Sequence, residues 1–136
     1  MKPTEIKNVI TEILESRKEE GGIKALYFVG CGGSNGALYP AKTFMERECA
    51  NIKSALINSN EFVYSTPKDL GKNVIVCLSC HKGNTPETIN AAKLAKEKGA
   101  AVIILTWKEE SIILLGIIRI LLVKKLSVHF WWQWNC

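Results

Sequence analysis

Several features that mark special classes of protein are missing from the 136-residue sequence. It begins without the apolar stretch of a secretory signal, and it contains no internal repeat or low-complexity linker. Its most apolar segment, residues 112–123, is shorter than the roughly 20 residues of a transmembrane helix and contains Arg119. With 47% hydrophobic and 23% charged residues, the composition excludes disordered and collagen-like chains. We therefore expect a globular cytoplasmic protein with no membrane partner.

The five cysteines do not form the framework of a metal or disulfide protein. Cys77 and Cys80 have the Cys-x-x-Cys spacing, but no second pair of this kind and no suitably spaced Cys/His pair follows. Cys77 also falls inside an apolar strand pattern, which favours one buried thiol and one loop thiol over a zinc or redox site. We predict that the protein holds no metal and no cofactor.

Acidic residues are missing from the last part of the sequence. All 13 Asp and Glu and 15 of the 18 Lys and Arg precede residue 112. The net charge of +5 is therefore divided into +2 on residues 1–111 and +3 on residues 112–136. Most of the excess positive charge belongs to residues 112–136. The net charge therefore does not indicate a nucleic-acid partner for residues 1–111.

Hydrophobic periodicity predicts that helices and strands alternate over residues 1–111. This alternation indicates parallel strands joined by crossover helices on both faces, which is an α/β protein with a three-layer α/β/α sandwich. Residues 58–65 form a polar stretch with no predicted helix or strand. The predicted strands cover residues 25–29, 53–57, 72–79 and 101–106, and the predicted helices cover residues 5–20, 37–48 and 86–98.

Two loops follow predicted strands and lead into helices, at residues 30–36 and 80–84. Ligands of parallel α/β proteins bind at this edge of the sheet. In the second loop, Lys82 provides a positive charge and Gly83 allows the backbone to come close to a ligand. Thr85 adds a hydroxyl at the positive end of the following helix. Together these properties suit the binding of a phosphate monoester. Spacing alone allows a second interpretation, in which Gly83 only turns the chain and Thr85 only caps its helix.

The first loop offers an alternative ligand. Gly30, Gly32 and Gly36 approximate the fingerprint of a dinucleotide-binding fold, but Asn35 occupies the position of the third glycine. The acid that would bind the ribose after the second strand is also missing, because Asn58 and two further uncharged residues stand there. A dinucleotide-binding oxidoreductase fragment is therefore the less favoured hypothesis.

Three segments, residues 28–34, 58–62 and 81–88, together resemble the SIS (sugar isomerase) domain family of phosphosugar-binding proteins. Within that family they look closest to the N-terminal half of the fructosamine 6-phosphate deglycases, over about residues 5–111. The resemblance implies a sugar-phosphate ligand, a homodimer in intact relatives and no catalytic residue in this half. The ligand-binding positions that it implies are Gly33, Ser34, Cys80, His81, Lys82 and Thr85, where Cys80 and Lys82 replace two serines of the family pattern.

Residues 112–136 depart from the family pattern. They lack periodicity and acidic residues, and they contain three of the four tryptophans. Our hypothesis is that they form an anomalous apolar tail produced by a frameshift, and that the chain is truncated before its catalytic second half. We then expect sugar-phosphate binding without turnover. The alternative within the same family is a phosphosugar sensor with no enzymatic activity.

Overall fold

Strands alternate with helices in a computed structural model that describes residues 3–80, 85–106 and 119–122. All four predicted strands and all three predicted helices are present, and one helix and one strand are additional. The helices are α1 (Pro3–Arg17), α2 (Gly33–Glu48), α3 (Ser59–Tyr64) and α4 (Pro86–Glu97), with a 3-10 turn (Lys18–Glu20) after α1. The strands are β1 (Ala25–Gly30), β2 (Lys53–Asn58), β3 (Val74–Ser79), β4 (Ala101–Thr106) and β5 (Arg119–Leu122).

The strands form one parallel sheet in the order β2-β1-β3-β4-β5. The central strands β1 and β3 are buried along their whole length, which explains their continuous apolar sequences. β5 belongs to the segment 112–136 that the sequence sets apart, and it pairs with residues 103–106 of β4. The division of the chain at residue 111 stays a prediction.

Two apolar layers cover the sheet. Leu26 and Phe28 of β1 face α1 and α2, while Tyr27 and Val29 of the same strand face α3 and α4. This alternation follows from the two-residue period of a strand. As the periodicity of α2 predicts, its buried side chains are Leu38, Ala41 and Met45. The predicted three-layer α/β/α sandwich is confirmed. Among the described helices, none is both long and apolar enough to cross a membrane.

The polar stretch at residues 58–65 contains the helix α3, which the sequence analysis missed. The Asn58 side chain caps this helix and accepts a hydrogen bond from the Asn60 N–H at 3.0 Å. Phe62 is fully buried between the helix and the sheet. A six-residue helix has too few apolar residues to show a periodicity, so the cap and the packing of Phe62 decide its formation.

Candidate functional site

Three strands end at the same level at the carboxyl edge of the sheet. Gly30 at the end of β1 lies in register with Asn58 at the end of β2 and with Ser79 at the end of β3. The loops that follow β1 and β3 therefore start from neighbouring strands. This brings together the two loops that the sequence analysis singled out, at the edge where parallel α/β sheets bind ligands.

The first loop holds the start of α2 close to the end of β1. A Cβ atom at Gly30 would lie 3.0 Å from the backbone nitrogen of Asn35, so any side chain here would push the start of α2 away by a few tenths of an ångström. The Asn35 side chain donates a hydrogen bond to the Gly30 carbonyl at 3.1 Å. Gly32 turns the chain into α2 with a φ of +54°. These contacts fix the position from which α2 begins.

The first turn of α2 is open to a ligand. Gly33 is exposed, and a Cβ atom added at Gly33 or at Gly36 would meet nothing within 4 Å. The Gly36 N–H donates to the Gly32 carbonyl, but the N–H groups of Gly33 and Asn35 donate to no acceptor within the described part of the chain. Free N–H groups at a positive helix end attract anions. Ser34, which is half-buried, follows Gly33 in this turn.

The second loop is closed at its base by a contact between two predicted site residues. Cys80 is 4% exposed, and its N–H donates to the Leu105 carbonyl at 3.0 Å. Its thiol donates to the Thr85 hydroxyl oxygen at 3.4 Å. Thr85 stands at the predicted N-cap of α4, with Pro86 as the first helical residue, but its side chain makes no capping hydrogen bond. The predicted position is thus confirmed, while the hydroxyl contacts the thiol.

The remaining residues of the second loop, 81–84, lie outside the described residues. His81 and Lys82 belong to this interval, so their predicted contacts with a ligand stay predictions. Of the six predicted positions, the structure describes Gly33 and Ser34 at the start of α2, and Cys80 and Thr85 on either side of the interval.

A buried pair of hydroxyl groups connects α3 with the first turn of α4. The hydroxyl oxygens of Ser59 and Thr88 lie 3.1 Å apart, at 0% and 2% exposure. Sequence reasoning missed this pair. A signal was available in the sequence, namely a polar side chain on the apolar face of α4. Thr88 lies three, four and seven positions before the buried residues of this helix, Ala91, Ala92 and Ala95.

The end of β2 argues against a dinucleotide site. The position where such folds carry an acid for the ribose is occupied by Asn58, whose side chain caps α3. Asn35, which stands at the third position of the glycine fingerprint, uses its amide to hold the Gly30 carbonyl. Within the described residues, no three His, Cys, Asp or Glu side chains gather as metal ligands would.

A groove of about 370 Å³ lies elsewhere, at the amino edge of the sheet. Residues of α1 and of the turn that leads into β4 line it. One of them, Arg17, donates to the carbonyls of Gly99 at 2.7 Å and Lys72 at 3.3 Å. No residue of the three sequence motifs lines this groove, so its size does not make it the candidate site.

The thiol of Cys77 is predicted to be unreactive in the folded protein. Burial raises its pKa to about 12, and the thiolate is the form that reacts with alkylating reagents. We expect iodoacetamide at pH 8 to modify the half-buried Cys31 and to spare Cys77, as measured by peptide mass spectrometry. In guanidinium chloride both should react. Equal labelling of the two thiols in the folded chain would contradict the burial of Cys77.

The same shift has a consequence for stability at high pH. The unfolded thiol ionises near pH 9, whereas the folded thiol keeps its proton up to about pH 12. Above pH 9 the unfolded state therefore binds fewer protons than the folded state. The contribution of Cys77 to the free energy of unfolding decreases as the pH rises through this interval.

The sequence matches known proteins over most of its length. Residues 22–116 match the sequence profile of the SIS domain family. Over 89 residues, 65% of this chain, it is 46% identical to the fructosamine deglycase FrlB of Bacillus subtilis strain 168. The structure of a candidate phosphosugar isomerase from Salmonella typhimurium LT2 superposes on 87% of this chain with a TM-score of 0.80 and 39% identity. A candidate phosphosugar isomerase from B. subtilis superposes on 72% of this chain, with a TM-score of 0.69 and 42% identity.

These relatives are much longer proteins. The chain spans 27% of the length of the deglycase, 34% of the Salmonella protein and 30% of the B. subtilis protein of known structure. The similarity therefore concerns one part of each relative. The residues that match the family profile, 22–116, include both loops of the candidate site.

Proposed function

Because the chain belongs to the SIS domain family, as its motifs predict, we propose that its two loops bind a sugar phosphate. The observation that carries this proposal is the open first turn of α2, where the N–H groups of Gly33 and Asn35 have no acceptor among the described residues. The start of α4 belongs to the second loop at the same edge of the sheet. The proposed ligand places its phosphate at these two helix ends.

The chemistry of the loops favours a phosphate over a neutral sugar. A phosphate monoester carries close to two negative charges and three acceptor oxygens. Helix N-termini supply N–H donors and partial positive charge, and Lys82 would add a full positive charge. In this proposal Gly33 and Ser34 contact the ligand from the first loop, and the second loop contributes its donors from the other side.

The second loop differs from the serine-rich pattern of the family in a way that affects the proposed contacts. Cys80 is buried, and its thiol donates to Thr85, so the role that the structure favours for Cys80 is to hold Thr85 in place. A thiol is also a weaker hydrogen-bond donor than a hydroxyl. The proposed direct contacts of this loop therefore come from His81, Lys82 and Thr85.

The identity to a fructosamine deglycase supports a finer proposal. The chain would be the phosphosugar-binding part of a fructosamine 6-phosphate deglycase-like enzyme. Such a reaction moves a proton between C1 and C2 of the opened sugar, and hydrolysis then releases an amine and glucose 6-phosphate. It needs a general base and a general acid. We propose that this chain supplies the binding step and not the turnover.

Calorimetric titration of the purified chain with glucose 6-phosphate, fructose 6-phosphate and NAD(H) tests the ligand class. We expect both sugar phosphates to bind in the titration. In thermal unfolding they should also raise the melting temperature, because a ligand of the native state stabilises it by mass action. A response to NAD(H) alone would overturn the proposal. Amine release from a fructosamine 6-phosphate by the pure chain would overturn the separation of binding from turnover.

Replacing Gly33 separates ligand contact from folding. Gly33→Ala adds a methyl group where the protein leaves open space, so the melting temperature should not fall. If the ligand lies over this turn, the methyl group blocks it, and the Kd for glucose 6-phosphate should rise about tenfold, which is about 1.4 kcal/mol. Calorimetry and thermal unfolding measure the two effects.

The matched control is Gly71→Ala. Gly71 also has room for a Cβ atom, with the Lys98 carbonyl oxygen at 3.8 Å as the nearest atom, but it lies three residues before Val74, where β3 begins, at the opposite edge of the sheet. This variant should bind glucose 6-phosphate like the unaltered chain. An unchanged Kd in Gly33→Ala would remove Gly33 from the proposed site.

A further inference from the structure

Ser59 and Thr88 are the two buried polar side chains of α3 and α4. The other buried side chains of these helices, within the described residues, are apolar: Phe62, Ala91, Ala92 and Ala95. Their hydroxyl oxygens lie 3.1 Å apart, so each hydroxyl has the other as its partner. A buried hydroxyl is tolerated only when it is hydrogen-bonded, which makes the two residues dependent on each other.

The pair joins two parts of the candidate site. Ser59 is the first residue of α3 and directly follows Asn58, which lies in register with Gly30 at the carboxyl edge of the sheet. Thr88 lies in the first turn of α4, three residues after Thr85. The hydrogen bond therefore links the end of β2 to the turn of α4 that begins at the second loop.

This location matters for a ligand because hydrogen bonds depend steeply on distance and angle. Apolar contacts such as those of the three alanines allow a helix to slide or rotate slightly, since they have no preferred direction. A hydrogen bond between two buried groups has one geometry. It sets the direction in which the first turn of α4 presents its N–H groups.

We propose that the Ser59–Thr88 hydroxyl pair is a positioning element of the phosphate site. It acts through α4 and does not touch the ligand. The proposal rests on the proposed function, because it assumes that the first turn of α4 contacts a sugar phosphate. Losing either hydroxyl should weaken ligand binding even when the chain is fully folded.

Two substitutions at Thr88 distinguish positioning from general stability. Thr88→Val keeps the side-chain shape and removes the hydroxyl, whereas Thr88→Ser keeps the hydroxyl and removes a methyl group. We expect both variants to unfold at a lower temperature. In calorimetric titration with glucose 6-phosphate at a temperature where both are folded, Thr88→Val should raise the Kd about fivefold, and Thr88→Ser should stay within about twofold of the unaltered chain.

A double substitution tests whether the two hydroxyls act together. Ser59→Ala should raise the Kd as much as Thr88→Val, and the double variant should bind no worse than either single variant, because one hydrogen bond is lost in all three. Thr66→Val is the control, since the Thr66 hydroxyl donates to the Val63 carbonyl at the far end of α3. It should leave the Kd unchanged.

The outcomes separate this inference from the function on which it rests. If the unaltered chain binds neither glucose 6-phosphate nor inorganic phosphate, both proposals are wrong. If it binds and Thr88→Val binds equally well, only the positioning role is wrong. Equal losses of affinity in Thr88→Val and Thr88→Ser would also overturn the positioning role, because packing and not the hydroxyl would then be responsible.

Discussion

Phe28→Ala is expected to lower the free energy of unfolding by about 3–5 kcal/mol, the largest effect of any substitution considered for this chain. Phe28 is 0% exposed and lies in the middle of β1, the central strand whose carboxyl end leads into the first loop. On its face of the sheet it belongs to the apolar layer that includes Leu38 and Met45 of α2. The substitution removes this buried surface and leaves a cavity beneath the helix.

Urea unfolding followed by circular dichroism measures this loss. Small domains have a total stability of about 5–15 kcal/mol, so this loss is a large fraction of the total. Tyr64→Ala is the control, because Tyr64 is 85% exposed and its removal should change the stability by less than about 0.5 kcal/mol. A loss below about 1 kcal/mol in Phe28→Ala would show that β1 does not form the centre of the core.

Gly30→Ala is expected to reduce both stability and ligand affinity. The new Cβ atom would lie 3.0 Å from the Asn35 nitrogen and 3.2 Å from its Cα atom. These are backbone atoms, so α2 must move away from the end of β1. Overpacking of this kind costs about 1–3 kcal/mol. Because the same movement displaces the open turn at Gly33, we expect glucose 6-phosphate to bind at least tenfold more weakly, a difference of about 1.4 kcal/mol or more.

The control for this prediction is another glycine of the same segment. A Cβ atom at Gly36 meets nothing within 4 Å, and Gly36 lies inside α2. Gly36→Ala should therefore raise the stability by up to about 1 kcal/mol, the usual difference between the two residues in a helix. Chemical unfolding of both variants gives the comparison. Equal stability of Gly30→Ala and the unaltered chain would contradict the close approach of strand and helix.

The elements that the sequence predicted correctly are those with repeated apolar signals. Residues 74–79 carry a continuous apolar run because β3 is covered on both faces. The buried face of α2 shows the helical period at Leu38, Ala41 and Met45. Each of these elements contains enough residues of one kind to be recognised without knowledge of its neighbours.

The helix α3 and the hydroxyl pair could not be predicted in this way. The six residues of α3 include one fully buried apolar side chain, Phe62, so no periodicity is visible. Ser59 and Thr88 are separated by 29 positions, and only the packing of α3 against α4 brings their hydroxyls to 3.1 Å. The role of Cys80 also depends on the fold, since its contact with Thr85 replaces the cap expected from the sequence.

The sequence by itself determined four of the five described strands, three of the four described α-helices, the parallel α/β class and the places where two loops follow strands and lead into helices. It could do so because periodicity, glycines and helix caps are local signals. The tertiary structure decided the strand order β2-β1-β3-β4-β5 and the common level of Gly30, Asn58 and Ser79. It also decided which polar groups are buried together. These features depend on contacts between distant segments, whose geometry is set when the helices pack on the sheet.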